Sequence, residues 1–213
     1  SYKVQPNADG LAQAFILGED FLDGAPSTLI LGDNIFFGYG FSKLLFMANE
    51  QRIGSTIFGY QVTDPKRYGV VGFNEEEMVN SIEEKPKYPA SNFAVTGLYF
   101  VDETAPKRAK DVKPSSRGEL EITSLLTSYL KDKSLTLKKM GRGFTWLDTG
   151  THTSLLDAGN FVKIITERQG QQIGSPEEIA FRKKWISEQT LTHAARRFKN
   201  NSYGQYLLSL KES

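Results

Sequence analysis

Cysteine is absent from the 213 residues, which removes disulfides, thiolate metal sites and cysteine nucleophiles together and leaves the redox compartment undecided. No apolar run is long enough to span a bilayer. The opening SYKVQPNADG has neither the basic leader nor the apolar core of a secretory signal, so a cytoplasmic location is the expectation. An excess of one charge is missing too: 26 Lys and Arg stand against 25 Asp and Glu, a formal net charge of +1. That balance supplies no general field for nucleic acid or an anionic membrane, while a local basic pocket for a small phosphate ligand stays open. The two histidines, His152 and His193, are not spaced as a ligand pair, and no Ser-His-Asp arrangement is suggested. No GxGxxG follows a strand, which disfavours a dehydrogenase.

What is present suits a packed core. Hydrophobic residues make up 39%, with 14 Phe and 9 Tyr, enough for one sizeable domain or one domain with a helical extension. Asp9 is placed to cap a helix whose stripe runs Leu11, Ala14, Phe15, Gly18, Phe21 and Leu22. STLILGD is an apolar run without polar alternation, the pattern of a strand covered on both faces as in a parallel sheet. A helix is expected over 41–52. Strands follow at STIFGYQV, GVVGF, MVNSIEEKP and NFAVTGLYFV, then a helix after Gly118 and strands LTLKKM and FTWLD. Beyond DTGTH the pattern turns helical, with Ser175 as a cap and Pro176 at the first helical position. Helix and strand alternate, so the reading is α/β: a mixed, mostly parallel, Rossmann-like sheet over 1–150 and a helical region over 151–213.

In open α/β sheets ligands sit beyond the carboxyl ends of strands. LILGD and FTWLD each close an apolar strand on an acid, Asp33 and Asp148. Two converging carboxylates repel unless a cation separates them, and magnesium with a phosphate partner is the natural candidate. Taken alone, each acid also reads as an ordinary turn residue or helix cap. In SIEEKP, Glu84 and Lys85 point to opposite faces of an ideal strand and serve one ligand only if the strand bends there. Pro86 favours such a departure and restrains Lys85 to an extended shape; a solvated charge cluster on an edge strand is the plain alternative. Gly69 allows close backbone approach, or simply makes a turn. Gln5 and Gly10 stand in a loop leading to a helix, where amides can meet a base edge or a phosphate.

In order along the chain, VQPNADGLAQA, LGDNIF, DPKRYGVV, SIEEKP, NFAVTGLYF, RGELEIT, GRGFTWLDTGTH and SPEEIAFRKKWI resemble the bacterial glucose-1-phosphate thymidylyltransferases, members of the sugar nucleotidyltransferase family. The resemblance covers nearly the whole chain. It implies that glucose 1-phosphate attacks the α-phosphorus of dTTP, releasing pyrophosphate and forming dTDP-glucose for deoxysugar and cell-surface polysaccharide synthesis, with Mg2+ as cofactor. By resemblance Asp33 and Asp148 hold the metal, Gln5 and Gly10 read the thymine, and Lys85 meets the sugar phosphate. Glu84, Gly69, Val95 and Tyr99 line the sugar pocket. Arg142, Glu178, Ile179 and Arg182 match a regulatory nucleotide site, and fit an inter-subunit packing surface equally well.

One departure stands out. The family's glycine-rich loop, GGxGTRLxPxT, is not found in these residues, and that loop clamps the triphosphate. The expectation is that the chain alone turns over dTTP poorly and needs a partner, either a second copy or a complementing chain. Ser124 replaces an acid common in the family, with little consequence expected. The competing readings are a non-catalytic sugar-nucleotide binding or assembly module, and a uridylyltransferase of the same architecture.

Overall fold

The computed structural model describes residues 1–212. The chain divides into two units, Ser1–Trp146 and Leu147–Ser213. The first holds α1 (Gln13–Leu17), α2 (Glu19–Leu22), β1 (Ser27–Ile30), β2 (Asn34–Gly38), α3 (Phe41–Glu50), β3 (Ser55–Gln61), β4 (Gly69–Phe73), β5 (Val79–Glu84) and β6 (Phe93–Val101). It continues with α4 (Ala105–Asp111), α5 (Ile122–Lys131), β7 (Leu135–Lys139) and the start of β8 (Phe144–Asp148). The second unit holds α6 (His152–Gln169), α7 (Pro176–Arg182), α8 (Glu188–Arg197) and α9 (Ser202–Ser209).

The main sheet runs β5-β4-β6-β3-β7, with β1 also on β6, and β2 and β8 form a separate two-stranded ribbon. The α/β class and the mixed sheet are as expected, but the parallel share is small. Among the described residues only β3 and β7 pair parallel in the main sheet, while β6 runs antiparallel to β1, β3 and β4, and β4 to β5. An unalternated apolar run reports coverage rather than strand direction, and β1 is not fully covered: Thr28 and Ile30 face solvent.

Strand β6 organises this unit. Along one side it pairs with β3; along the other it is shared, with Val70 of β4 opposite Ala94 and β1 opposite residues 98–101. Between those two partners the strands fork. Alternation along β6 sends Val95, Tyr99 and Val101 into a core with Phe15, Leu125, Leu126 and Tyr129 beneath α1, α4 and α5. Leu98 goes to the other face, where Phe58, Met140 and Ala48 of α3 make a second core. Phe41 packs there on Phe36, Phe58 and Phe144 with ring centroids 5.3, 6.5 and 6.4 Å apart.

The single helix expected after Asp9 is two short ones, broken at Gly18, and Asp9 does not cap: the N-cap of α1 is Ala12. In the second unit Thr151, Ser175, Ser187 and Asn201 each accept a backbone N–H at a helix start. Its core is Leu191, Ala195, Leu207 and Leu210, with Phe181, Phe198 and Tyr203 against it. Among the described residues no helix is long and apolar enough to cross a membrane.

One buried carboxylate ties the first unit together. Asp102, at the end of β6, accepts from the Gly54 N–H at 2.7 Å, the Thr104 hydroxyl at 2.5 Å, the Thr104 N–H at 3.0 Å and the Tyr129 hydroxyl at 2.9 Å. Burial alone raises its pKa, but the bonds from Thr104, Gly54 and Tyr129 outweigh it and hold the carboxyl below the usual aspartate range. A depressed acid contributes stability that is complete above its unfolded pKa and is lost as pH falls through the folded one. Asp102→Ala, which orphans the Gly54 and Tyr129 donors, is expected to cost about 3 kcal/mol in denaturant unfolding at pH 7. Asp102→Asn should cost less and flatten the acid limb of the stability profile.

Candidate functional site

At the fork beside β6 the residues of three strands converge. Gly69 opens β4 and pairs with Glu84, the last residue of β5. A Cβ on Gly69 would lie 2.7 Å from Thr123 Cγ2, 3.5 Å from Glu84 Oε2 and 3.8 Å from Val95 Cβ, so the absent side chain is what lets these groups meet. Tyr99 is 3% exposed. Burial and then the charges of Glu84 and Asp33 push its hydroxyl well above the usual phenol range, so both acids act on it. Asp33, Gly69, Glu84, Val95 and Tyr99 thus belong to one corner of the first unit.

Asp33 is not the end of β1. It sits exposed in the turn to β2, closed by the Asn34 N–H on the Leu31 carbonyl at 3.2 Å. Asn34 is the organiser there. Its Oδ1 accepts from the Gly97 N–H at 3.0 Å and from Trp146 Nε1 at 2.6 Å, and its Nδ2 donates to Asp33 Oδ1 at 2.9 Å. Trp146 in turn packs on Tyr60 and Tyr68, with ring centroids 5.9 and 5.1 Å away.

The strand bends at Lys85, as Glu84 and Lys85 acting together require, but in a different shape from the one expected. Lys85 has φ 43°, the left-handed region rather than an extended one, and its N–H bonds to the Tyr68 carbonyl at 3.0 Å. The buried Pro86 follows at once. A lysine held there carries roughly 1–3 kcal/mol of backbone strain. Among the described residues the Lys85 ammonium makes no ion pair and faces solvent.

Sequence reasoning missed Arg117. Its guanidinium lies 3.5 Å from Glu84, 3.6 Å from Glu119 and 2.8 Å from Glu121. Glu121 is buried and binds it by Nε at 3.2 Å and by Nη2 through both carboxylate oxygens at 2.8 and 2.9 Å, while also accepting from Ser115. The i,i+4 spacing of Arg117 and Glu121 within RGELE was the available signal. Asn34, Thr123 and Trp146 were missed as well, and only their contacts reveal them.

The loop bearing Gln5 and Gly10 is fastened to the same segment. Leu120 donates its N–H to the Asp9 carbonyl at 2.6 Å, and the Ala12 N–H returns a bond to the Leu120 carbonyl at 3.1 Å. Gly10, at φ 103°, is pressed so close that a Cβ would stand 2.4 Å from the Leu120 oxygen. Gln5 is exposed and donates to the Gly10 carbonyl.

Asp148 ends β8, and its Oδ1 accepts the Gly150 N–H at 3.2 Å. It belongs to the second unit and Asp33 to the first. Of the residues read as regulatory, Arg142 lies exposed in the first unit; Glu178, Ile179 and Arg182 share α7 in the second. There Glu178 pairs with Arg182 Nε at 2.7 Å and accepts from the Tyr206 hydroxyl, whose pKa rises to about 12 through burial and that bond. Among the described residues no three His, Cys, Asp or Glu side chains form a metal cage.

The nucleotidyl transferase family model matches residues 1–164. A glucose-1-phosphate thymidylyltransferase of Neisseria meningitidis is 53% identical over 210 residues, covering 99% of this chain and 73% of the relative. One from Xanthomonas campestris pv. campestris is 52% identical, with 98% and 71% covered, and one from Mycobacterium tuberculosis 45%, with 100% and 73%. A Bacillus anthracis crystal structure, described as a glucose-1-phosphate thymidylyltransferase in complex with sucrose, superposes with a TM-score of 0.66 at 41% identity. The match covers 76% of this chain and 64% of that one. A UDP-glucose pyrophosphorylase complexed with UDP-glucose gives a TM-score of 0.67 at 23% identity, a likeness of fold alone.

Burial raises the Glu84 pKa and the charge of Glu121 adds to it, against the pull of Lys85, Arg117 and the Thr123 hydroxyl. An acid raised in this way costs stability once it ionises, and the cost fades as pH falls below the unfolded value. Glu84→Gln is therefore expected to raise the midpoint of thermal unfolding at pH 7 by roughly 2–4 °C for each kcal/mol relieved. The gain should shrink toward pH 4; a gain independent of pH would place its origin elsewhere.

Proposed function

The chain belongs to the nucleotidyl transferase family, with glucose-1-phosphate thymidylyltransferases as its close relatives, and from that premise we propose that it serves the formation of dTDP-glucose and pyrophosphate from dTTP and glucose 1-phosphate. The observation that carries the site is the convergence of Glu84, Gly69, Val95, Tyr99 and Asp33 at the fork, with the strained, unpaired Lys85 beside them. In this reading a phosphate oxygen of the sugar phosphate attacks the α-phosphorus, and the bond to the departing pyrophosphate breaks. No covalent enzyme intermediate is needed, because positioning and charge neutralisation suffice.

Lys85 and Arg117 supply positive charge to the sugar phosphate. Lys85 is available without breaking an ion pair; Arg117 is fixed in place by Glu121. Glu84 accepts from glucose hydroxyls, Tyr99 donates to the same pocket, Val95 packs on the ring and Gly69 leaves the room. Gln5 and Gly10 read the thymine edge. Asp33 and Asp148 are assigned to Mg2+ on the resemblance; each offers the hard oxygen donors preferred by that ion, which keeps waters and phosphate oxygens in its shell. When bound, Mg2+ would neutralise the phosphate charge that develops during transfer. Arg142, Glu178, Ile179 and Arg182 are assigned to a regulatory nucleotide site on the resemblance alone. A cytoplasmic setting follows from the substrates, and assembly with a second copy agrees with the exposed apolar side chains Phe46, Met47 and Ile53.

Calorimetry with dTDP-glucose followed by pyrophosphate release on the same sample tests the reading. Binding is expected, and turnover, where present, should stop on chelation and return with Mg2+. A sample that binds no dTDP-glucose overturns the proposal. Lys85→Gly suits the left-handed backbone better and should leave the protein at least as stable, yet weaken dTDP-glucose by about tenfold or more through the lost charge. An unaltered Kd would remove Lys85 from the site.

A further inference from the structure

The amide of Gln5 is held in one polarity by groups that can only accept. Gln5 Nε2 lies 2.7 Å from Gln13 Oε1 and 3.2 Å from the Gly10 carbonyl oxygen, and Gln13 Nε2 lies 3.0 Å from Asp9 Oδ2. The NH2 and oxygen ends of an amide are nearly indistinguishable by shape, so the partners must decide which is which. An ionised carboxylate has no proton to give. Asp9 therefore requires the NH2 of Gln13 to face it, which turns the Gln13 oxygen toward Gln5. That oxygen requires the NH2 of Gln5. The Gly10 carbonyl, a second and independent acceptor, requires the same end of Gln5 to point inward. Both routes leave one outcome: the Gln5 oxygen is the end turned away from the loop, into solvent, where Gln5 is exposed.

We infer that Asp9 and Gln13 are positioning residues that fix base specificity by polarity, setting Gln5 to present an acceptor to the ring N–H of an imide base. The inference rests on the reading of Gln5 as the base contact and extends it to a reason for the choice. Thymine and uracil carry a proton on N3 and satisfy the Gln5 oxygen; cytosine carries a lone pair there, so two acceptors would face each other at a desolvated contact. The relay separates imide bases from cytosine and is blind to the 5-methyl group. Its frame is rigid for a loop, since Asp9 and Ala12 are both bonded through the backbone to Leu120.

The test compares calorimetric affinities for dTDP-glucose, UDP-glucose and CDP-glucose. The wild-type protein is expected to bind the first two at least about tenfold more tightly than the third. Gln13→Leu removes the shorter of the two bonds that hold the Gln5 amide, leaving the Gly10 carbonyl alone, and should lower that ratio, chiefly by improving CDP-glucose. Gln13→Glu alone sets two carboxylates side by side and should weaken all three. Combining it with Asp9→Asn restores one donor facing one carboxylate, keeps the demand on the Gln5 NH2 and should restore the wild-type ratio, a rescue that a packing role would not give. An unchanged ratio in a folded Gln13→Leu protein, or no rescue by the pair, overturns the relay. A ligand-free measurement separates this from failure of the base-contact reading. Side-chain amide exchange by NMR should be slower for Gln5 than for the exposed Gln171, and the difference should narrow in Gln13→Leu, where only the Gly10 carbonyl still holds the amide. If that holds while no nucleotide binds, the relay stands and the base contact falls; if Gln5 exchanges as fast as Gln171 in the wild type, the relay is wrong.

Discussion

The site depends on how β6 shares one of its edges. A strand offers hydrogen bonds along its whole length, and here β4 takes the start of that edge and β1 the end. Two strands cannot occupy the same ladder, so they part and leave a fork. What lies beside it is set by register. The turn after β1 brings Asp33, and the β4–β5 pair brings Gly69 against Glu84. Alternation along β6 then turns Val95 and Tyr99 to one face, where they belong to the core beneath α5.

That arrangement carries a conflict which the energetics display. Burial raises the pKa of Glu84 and of Tyr99. Glu84, Glu119 and Glu121 nonetheless surround the guanidinium of Arg117. Lys85 meanwhile stands in a backbone conformation that lysine disfavours. Each of these carries a cost in stability, and strained or pKa-shifted groups gathered in one place are what the proposed reading of this corner builds on. Asp102 shows the opposite arrangement in the same unit: a buried acid whose bonds from Thr104, Gly54 and Tyr129 outweigh its burial, so that its pKa falls. Glu84 has the charge of Glu121 against it instead.

Much of this was legible beforehand. The strands from β3 to β8 fell where period-two patterning and turn residues put them, and Ser175 with Pro176 marked the start of α7 correctly, because those signals are local. The candidate site residues were picked out through the order of short motifs rather than through chemistry read from any one of them. What escaped was non-local. Strand direction leaves no trace in hydrophobic periodicity, so the antiparallel pairing of β6 could not be read from NFAVTGLYFV. NIFFG is too short to declare itself β2 until Trp146 and Gly97 are seen bonded to Asn34. Asp9 looked like a helix cap because caps and acids that accept from a side-chain amide share one residue type, and only the side chain of Gln13 distinguishes them. The rule that a residue before proline stays extended failed at Lys85, where the bond to Tyr68 overrides a local preference.

The bonds of Leu120 join these parts. Through them the loop that presents Gln5 and Gly10 is laced to the segment that presents Arg117, Glu119 and Glu121, although more than a hundred residues separate the two along the chain. In the proposed reading the base lies at one end of this splice and the sugar phosphate at the other, and the two must keep a fixed separation for the reacting atoms to meet, since slack of an ångström is expensive in rate. Gly10 is what permits it, since any side chain there would collide with the Leu120 backbone. The glycine in VQPNADG is therefore better understood as a joint between two distant segments of the chain than as flexibility in a loop.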